Sequence, residues 1–357
     1  MLNYMHKNNL LLSFEDWKRA LPGMMTTKAS GLSTEFEVTI KGRTKTIKTG
    51  DKVTNFLAHI DDLMDITNNW ASTMQQPLSA ASPGTLAQRQ VPGRAQRTVY
   101  IDPLHKYFWE TWLGGALLKA QSLQPEFTLA TETGRVIADH KLGVYHTTQK
   151  TSLIVGKDFS QFDAHQKFNN MRAHIIKIVQ EWMDIRQFTS FGPWKDPAEM
   201  VTTLWHRMAQ AHYMVKDGAK IVVLVIDMVG SGELMTITIN NMTNKAVSDY
   251  MSVELIKRDE NGHWKGVKQL LESYMGDDSI TIYEGGPLSD GRVFTLEAIQ
   301  YMLETFEVTS QENGLILSAK KTIARTSLYE YLKKMAIFGY TIPRFPVTIS
   351  VHEIYTL

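Results

Sequence analysis

The chain contains no cysteine, which excludes disulfide staples and thiolate metal sites and fits a reducing compartment. An excess of one charge is also lacking: 38 Lys and Arg against 37 Asp and Glu leave a formal net charge of +1. Any affinity for nucleic acid must therefore come from local patches rather than a global field. No apolar run reaches the length of a membrane span, so no membrane partner is expected. The opening Met1-Leu2-Asn3-Tyr4-Met5-His6-Lys7 carries no signal-peptide pattern. There is no internal repeat, and only residues 76–93 are biased in composition. What is present is 357 residues with 43% hydrophobic and 21% charged content, enough for two or three domains around a sizeable core. The 18 Met residues point to adaptable core packing rather than to a site.

Residues 1–22 read as a partly helical entry that starts near Ser13-Phe14-Glu15-Asp16 and stops at Pro22-Gly23. Met24 to Ser33 reads as a hydroxyl-rich loop able to donate to phosphates. Alternation predicts strands in Phe36 to Ile40 and Thr44 to Lys48, with Gly42 near the turn between them. Phe56 to Trp70 has helical spacing, and the Pro, Ser, Gly and Gln content of 76–93 predicts an exposed, mobile loop. His105 to Ser122 is expected as a helix with an apolar face. Leu153 to Asp158 reads as a buried strand, Ala164 to Asp184 as an amphipathic helix and Pro197 to Met214 as a further helix. Ile221 to Ile226 has the composition of an interior strand. Phe294 to Val308 is expected to be helical and Leu315 to Leu317 a short strand. Lys320-Lys321-Thr322 forms a basic turn, and Leu328 to Pro343 is either a hairpin or a helix followed by a strand.

Chemistry concentrates in a few places. Tyr274-Met275-Gly276-Asp277-Asp278-Ser279 sets two adjacent carboxylates at a turn between two β-like runs, which suggests a hairpin tip that holds divalent cations. Asp158, at the end of an interior strand, is expensive to bury unless paired or metal-bound, and Asp163 follows five residues later. Arg94 in a loop and Arg97 at the start of a β run could clamp a triphosphate through charge-assisted contacts. Ser231-Gly232 lies in a flexible loop, and Thr236 and Asn240 would share a face if the following segment were helical. Propensity alone favours a strand there, since Thr236 to Ile239 is strongly β-branched.

The order of these pieces resembles the fingers and palm of viral RNA-dependent RNA polymerases, closest to the double-stranded RNA viruses of the reovirus order on the rotavirus and orbivirus side. Asp158-x4-Asp163 resembles motif A, Ser231-Gly232-x3-Thr236-x3-Asn240 motif B and Gly276-Asp277-Asp278 motif C. Gly93-Arg94-x2-Arg97 resembles motif F, Lys320-Lys321 stands where motif D has its lysine, and Leu328 to Ile342 resembles the motif E hairpin. The Thr27 to Gly31 loop is similar to motif G, and the likeness runs over roughly residues 20–345.

The resemblance implies an α+β fold of the right-hand polymerase type, with a palm built on a small antiparallel sheet backed by helices. It implies fingers over 1–150, palm over 151–188, a fingers insertion over 189–226, palm again over 227–345 and the start of a thumb at 346–357. Motif B makes the segment after Ser231-Gly232 helical, against its propensity. Mg²⁺, or Mn²⁺, would be held by Asp158, Asp277 and Asp278; Asp163, Asn240 and Thr236 would form the ribose pocket; Ser231 and Gly232 would let the loop move. Arg94 and Arg97 would neutralise the triphosphate, and Lys321 or Lys320 would protonate the leaving pyrophosphate. The implied partners are RNA template and nascent strand, nucleoside triphosphates, inner-capsid proteins and further polymerase domains, in the virion core and host cytoplasm. Polymerases of this order are much longer, so the chain is expected to be an excised piece or a partly represented polymerase. The alternatives are a catalytically silent fragment that binds RNA or capsid protein, and a reverse-transcriptase-like enzyme, against which the motif B Thr and Asn argue.

Overall fold

The computed structural model describes residues 29–51, 84–89, 97–101, 117–128, 133–167, 212–217, 220–225, 235–286, 293–332 and 334–342. Short pieces at 16, 19, 114–115, 176–178, 180–181, 184 and 228–229 are also described. The strands, in chain order, are β1 (Ala29–Ile40), β2 (Arg43–Asp51), β3 (Gly84–Arg89), β4 (Arg97–Ile101), β5 (Ser152–Lys157), β6 (His212–Asp217) and β7 (Lys220–Val225). They continue with β8 (Lys268–Met275), β9 (Asp278–Glu284), β10 (Ile323–Arg325), β11 (Leu328–Tyr331), β12 (Lys334–Ile337) and β13 (Tyr340–Ile342). The helices with described bounds are α1 (Thr133–His146), α2 (Phe162–His165), α3 (Thr236–Lys257) and α4 (Leu296–Glu312); residues 114–115 and 117–122 are also helical, within the helix expected over 105–122, and the fold is α+β. The chain divides into two compact units, one of Met1–Ala120 with Gln166–Thr236 and one of Gln121–His165 with Ile237–Leu357.

In the first unit β1 and β2 form a two-stranded antiparallel ribbon that turns at Lys41-Gly42, both in the left-handed region. Glycine meets that demand without a Cβ clash, as the two-residue hairpin turn requires. The expected loop ending at Ser33, with the motif G-like Thr27 to Gly31, is corrected in part. From Ala29 onward it belongs to β1, because β2 extends to Asp51 and pairs with Ala29, the register shifting between Ala29 and Thr34. A four-stranded sheet runs β4-β3-β6-β7. Here β3 lies inside the segment expected as a mobile loop: Thr85 to Arg89 pair in full with β4, a partner that composition does not reveal. The helix expected to reach Met214 gives way to β6 from His212. The apolar run expected as an interior strand is β7 at the sheet's edge, with Val222 exposed. A short apolar run does not distinguish an edge from a centre. The expected helix over 56–70 lies outside the described residues.

The second unit is built on the antiparallel sheet β10-β5-β9-β8. One face carries Leu153, Val155 and Tyr283 against Val247, Met251 and Leu255 of α3 and Met302 and Phe306 of α4. The other carries Ile154, Ile280 and Ile282 against Tyr329, Tyr331 and Ala336 of the β11-β12-β13 meander and Val144 of α1. Both faces being covered, β5 is buried nearly throughout, which is why its sequence is a continuous apolar run. Each such side chain contributes about 1.5–3 kcal/mol by leaving water.

Burial also explains α3. Its β-branched start is helical because Thr238, Ile239, Asn240 and Asn241 are buried, and packing outweighs a propensity deficit of at most about 0.7 kcal/mol per residue. The helix α4 starts two residues later than expected, where Thr295 caps it by accepting from the Ala298 N–H at 3.0 Å, and it runs on to Glu312. The continuous helix expected from Ala164 to Asp184 is replaced by the four residues of α2 and non-helical Gln166 and Lys167, where the chain passes from one unit to the other. Helical residues return at 176–178.

Gly143 of α1 lies so close to Tyr329 of β11 that a Cβ there would meet ring carbons at 2.1, 2.3 and 2.5 Å. Since Tyr329 is 1% exposed, its ring has nowhere to go. Gly143→Ala should destabilise the fold by about 1–3 kcal/mol in urea unfolding, and an unchanged midpoint would show that α1 can lift off the meander freely.

Candidate active site

The site is set by strand register. β5 and β9 pair antiparallel with Lys157 opposite Ser279, while β8 and β9 close at Met275 opposite Asp278 around the two-residue turn Gly276-Asp277. Gly276 has φ 68°, the left-handed conformation that the turn demands and glycine tolerates. The residue after Lys157 is Asp158, so pairing delivers Asp158 to the same end of the sheet as Asp277 and Asp278. The expectation of a strand ending in a carboxylate beside a carboxylate-bearing turn describes the backbone correctly.

A third segment is laid alongside. The Ser318 N–H donates to the Asp158 carbonyl and the Ser160 N–H to the Ile316 carbonyl, each at 2.8 Å, and Phe159 bridges Leu317. The chain then turns, with the N–H groups of Lys321 and Thr322 both donating to the Ser318 carbonyl. That turn brings the Lys321 Nζ to the Asp158 carboxylate, at 3.0 Å from Oδ1 and 3.2 Å from Oδ2. Of the two lysines left unranked by the sequence, Lys321 is the one paired with Asp158. Among the described residues, no group of three His, Cys, Asp or Glu side chains is arranged to hold a metal ion.

Asp163, the second residue of α2, accepts from Asn240 Nδ2 at 2.6 Å, so the motif A-like and motif B-like residues meet. Asn241, the next residue, and Asn244, a turn beyond Asn240 on α3, hold the carboxylate-bearing turn. The Gly276 N–H donates to Asn241 Oδ1 at 2.6 Å, and Asn244 Nδ2 donates to the carbonyls of Gly276 and Asp277, each at 3.0 Å. Gln121 supports Asn241 by accepting from its Nδ2 at 3.0 Å while its own Nε2 donates to the Thr238 carbonyl. Sequence reasoning missed Gln121, Asn241 and Asn244. The signal was three asparagines within five residues of a helix, where that side chain is a poor interior choice unless its amide has partners.

Burial and charge pairing shift several groups of the sheet from their ordinary titration ranges. Lys157 is buried, with its Nζ 5.5 Å from the centre of the Phe306 ring, and burial pushes the ammonium down to about 8. For Glu272 burial pushes upward, but the hydrogen bond from Lys245 at 2.7 Å helps bring the carboxyl below its usual range. Asp139 is raised by burial, although Ser273 donates to it at 2.7 Å and Thr128 at 3.3 Å. Ser273 lies on β8, whose outer edge pairs through Tyr274 with Glu126 and Thr128. The carboxylate-bearing hairpin is thus held from its edge, from the α3 side and through Ser273.

Among the other expected site residues, Arg97 opens β4 and Thr236 opens α3. Arg94, Ser231 and Gly232 lie outside the described residues.

Comparison with known proteins decides the family. The model of the Seadorna RNA-directed RNA polymerase family matches residues 133–344, more than half of the chain. The chain belongs to that family. No curated protein matches it in sequence. Among solved structures, this RNA-directed RNA polymerase family member is similar to the BmCPV RNA-dependent RNA polymerase at its elongation state, with 12% identity and a TM-score of 0.59 over 95% of this chain and 28% of that one. It is also similar to a chain from the segmented genome and RNA polymerase complex inside a dsRNA virus, with 14% identity and a TM-score of 0.59 over 91% of this chain and 27% of that one. A third match, an RdRp complex, has 12% identity and a TM-score of 0.52 over 89% and 31%. The polymerase-family chain therefore spans under a third of the length of these relatives, and at such identities the likeness establishes the fold.

The Lys321–Asp158 pair is half exposed on the lysine side, at 53% against 17% for Asp158. An ion pair this open to solvent contributes at most about 1 kcal/mol. Lys321→Ala should accordingly shift the urea midpoint only slightly, and a loss above that size would identify the pair as a structural anchor instead of a functional contact.

Proposed function

We propose that this chain carries the nucleotide-adding centre of an RNA-dependent RNA polymerase of a double-stranded RNA virus, which transcribes and replicates genome segments. The observation that carries the proposal is the β5–β9 register, which gathers Asp158, Asp277 and Asp278 at one end of one sheet. In this reading residues 1–150 and 189–226 belong to the fingers, 151–188 and 227–345 to the palm, and 346–357 begin the thumb. The partners are RNA template and nascent strand, nucleoside triphosphates, inner-capsid proteins and the remaining polymerase domains, in the virion core and host cytoplasm.

Carboxylate oxygens are hard donors that suit Mg²⁺, with Mn²⁺ able to replace it, and Mg²⁺ keeps several waters, so a small donor set fits it. Asp158 and Asp277 would hold the ions with Asp278 in support. Mg²⁺ held there would supply Lewis-acid stabilisation of the charge that develops as a 3′-hydroxyl displaces pyrophosphate. The chain's own residues do the rest. Asp163 and Asn240 offer an adjoining carboxylate acceptor and amide, complementary to a ribose 2′-hydroxyl that both donates and accepts. Thr236 supports that pocket, and Ser231-Gly232 lets the loop follow the nascent pair. Arg94 and Arg97 neutralise the triphosphate. Lys321, held at the same sheet end by Asp158, delivers a proton from Nζ to the departing pyrophosphate.

Template-directed ribonucleotide incorporation by the full-length polymerase tests this reading. Asp158→Asn and Asp277→Asn should each abolish incorporation while leaving the fold intact by circular dichroism, and activity near the parent level in either variant refutes the assignment. In the same assay Asp163→Ala and Asn240→Ala should relax discrimination against deoxynucleotides more than they weaken metal binding, because a site built to bond a hydroxyl loses selectivity when a partner is removed. Unchanged selectivity would remove the ribose role from this pair.

A further inference from the structure

The carboxylate-bearing turn is a two-residue loop between β8 and β9, and the β5–β9 register sets Asp158 across from it. A two-residue turn has few internal bonds of its own. Here an amide or carbonyl on each side of the turn is instead bonded to one helix. The Gly276 N–H donates to Asn241, and the carbonyls of Gly276 and Asp277 both accept from the single amide of Asn244. Asn241 and Asn244 are fully buried, as is Gln121 behind Asn241, so these bonds are shielded from water. The residue just before them, Asn240, holds Asp163. One turn of α3 therefore fixes both carboxylate-bearing segments at once, with Asp163 bonded at Asn240 and Asp277 held through its own carbonyl.

From this geometry we infer that Asn241 and Asn244 are positioning residues for Asp277, setting the metal affinity of the site through the backbone of the Gly276-Asp277 turn. The inference rests on the metal role proposed for Asp158 and Asp277. Asn244 takes no part in proton transfer and touches no reacting group; it acts on where the Asp277 carboxylate stands. Removing it leaves two carbonyls without their shared donor and lets the turn relax, at a cost in metal affinity of the size found when the hydrogen-bond partners behind metal ligands are lost, about 10–100-fold.

The test uses Mn²⁺ as a probe, with free Mn²⁺ measured by electron paramagnetic resonance on the full-length polymerase without nucleotide or RNA. Asn244→Ala should weaken Mn²⁺ binding at least about tenfold. In steady-state assays it should raise the Mg²⁺ concentration needed for half-maximal rate far more than it lowers the rate at saturating Mg²⁺. Thr295→Ala, which removes the hydroxyl cap of α4 away from the turn, serves as a control for general loosening. It should leave Mn²⁺ affinity unchanged. Equal weakening in both variants would show general loosening and overturn the inference, as would unchanged affinity in Asn244→Ala. Asn244→Ser, which keeps a polar group too short to reach both carbonyls, provides the same comparison if the alanine variant does not fold. Asp277→Asn separates the two levels of the argument. If it lowers Mn²⁺ affinity while Asn244→Ala does not, only the positioning role fails; if it has no effect, the metal assignment fails and the inference falls with it.

Discussion

The antiparallel register between β5 and β9 is the constraint on which the second unit depends. It is a backbone property, in which Lys157 opposes Ser279 and every side chain beyond follows from that pairing. Because side chains alternate along a strand, a slip of one residue would exchange the two faces, sending Leu153 and Val155 to the meander and Ile154 to the helices. The two differently shaped apolar surfaces, one met by α3 and α4 and the other by β11–β13, penalise that slip on both sides. Hydrophobic packing thereby fixes where a set of carboxylates stands, although none of them belongs to the core.

What packing cannot do is hold a turn, and polar bonds take over at the sheet's end. Buried amides are costly unless bonded, and Gln121, Asn241 and Asn244 are each bonded to backbone or to one another. The helix that supplies the apolar face through Val247, Met251 and Leu255 thus also supplies the clamp through its first turns. Division of one helix into an apolar stretch over the sheet and a polar stretch over the turn links stability to chemistry: what holds α3 on the core also positions Asn240, Asn241 and Asn244.

The Lys321–Asp158 pair adds a different kind of order. Its lysine comes from a turn whose backbone is bonded to the very segment that carries Asp158, through Ser318 and Ile316. Position is set by main-chain bonds, and the charge contact is an exposed final adjustment. Such an arrangement leaves the ammonium near the carboxylate without committing much stability to their contact.

Much of this was legible in the sequence where local chemistry and burial agree. The strand ending before Asp158 and the hairpin around Gly276-Asp277 were readable, since apolar runs and a turn glycine are local; Asp163 and Asn240 were singled out only through family resemblance, and their hydrogen bond was not foreseen. The start of α3 was legible only through family resemblance, because its β-branched residues favour a strand and burial reverses that preference. Pairing partners and edge position were not legible: β3 inside a Gly- and Ser-rich stretch, β6 in place of a helix and β7 at an edge each depend on a distant strand. The clamp of Gln121, Asn241 and Asn244 was equally hidden, since a buried amide reads as an ordinary polar residue until its partners, up to 120 positions away, are brought to it. The sequence by itself determined which residues could do the chemistry; only the tertiary structure decided which of them meet, because hydrogen-bond register and burial are properties of paired segments.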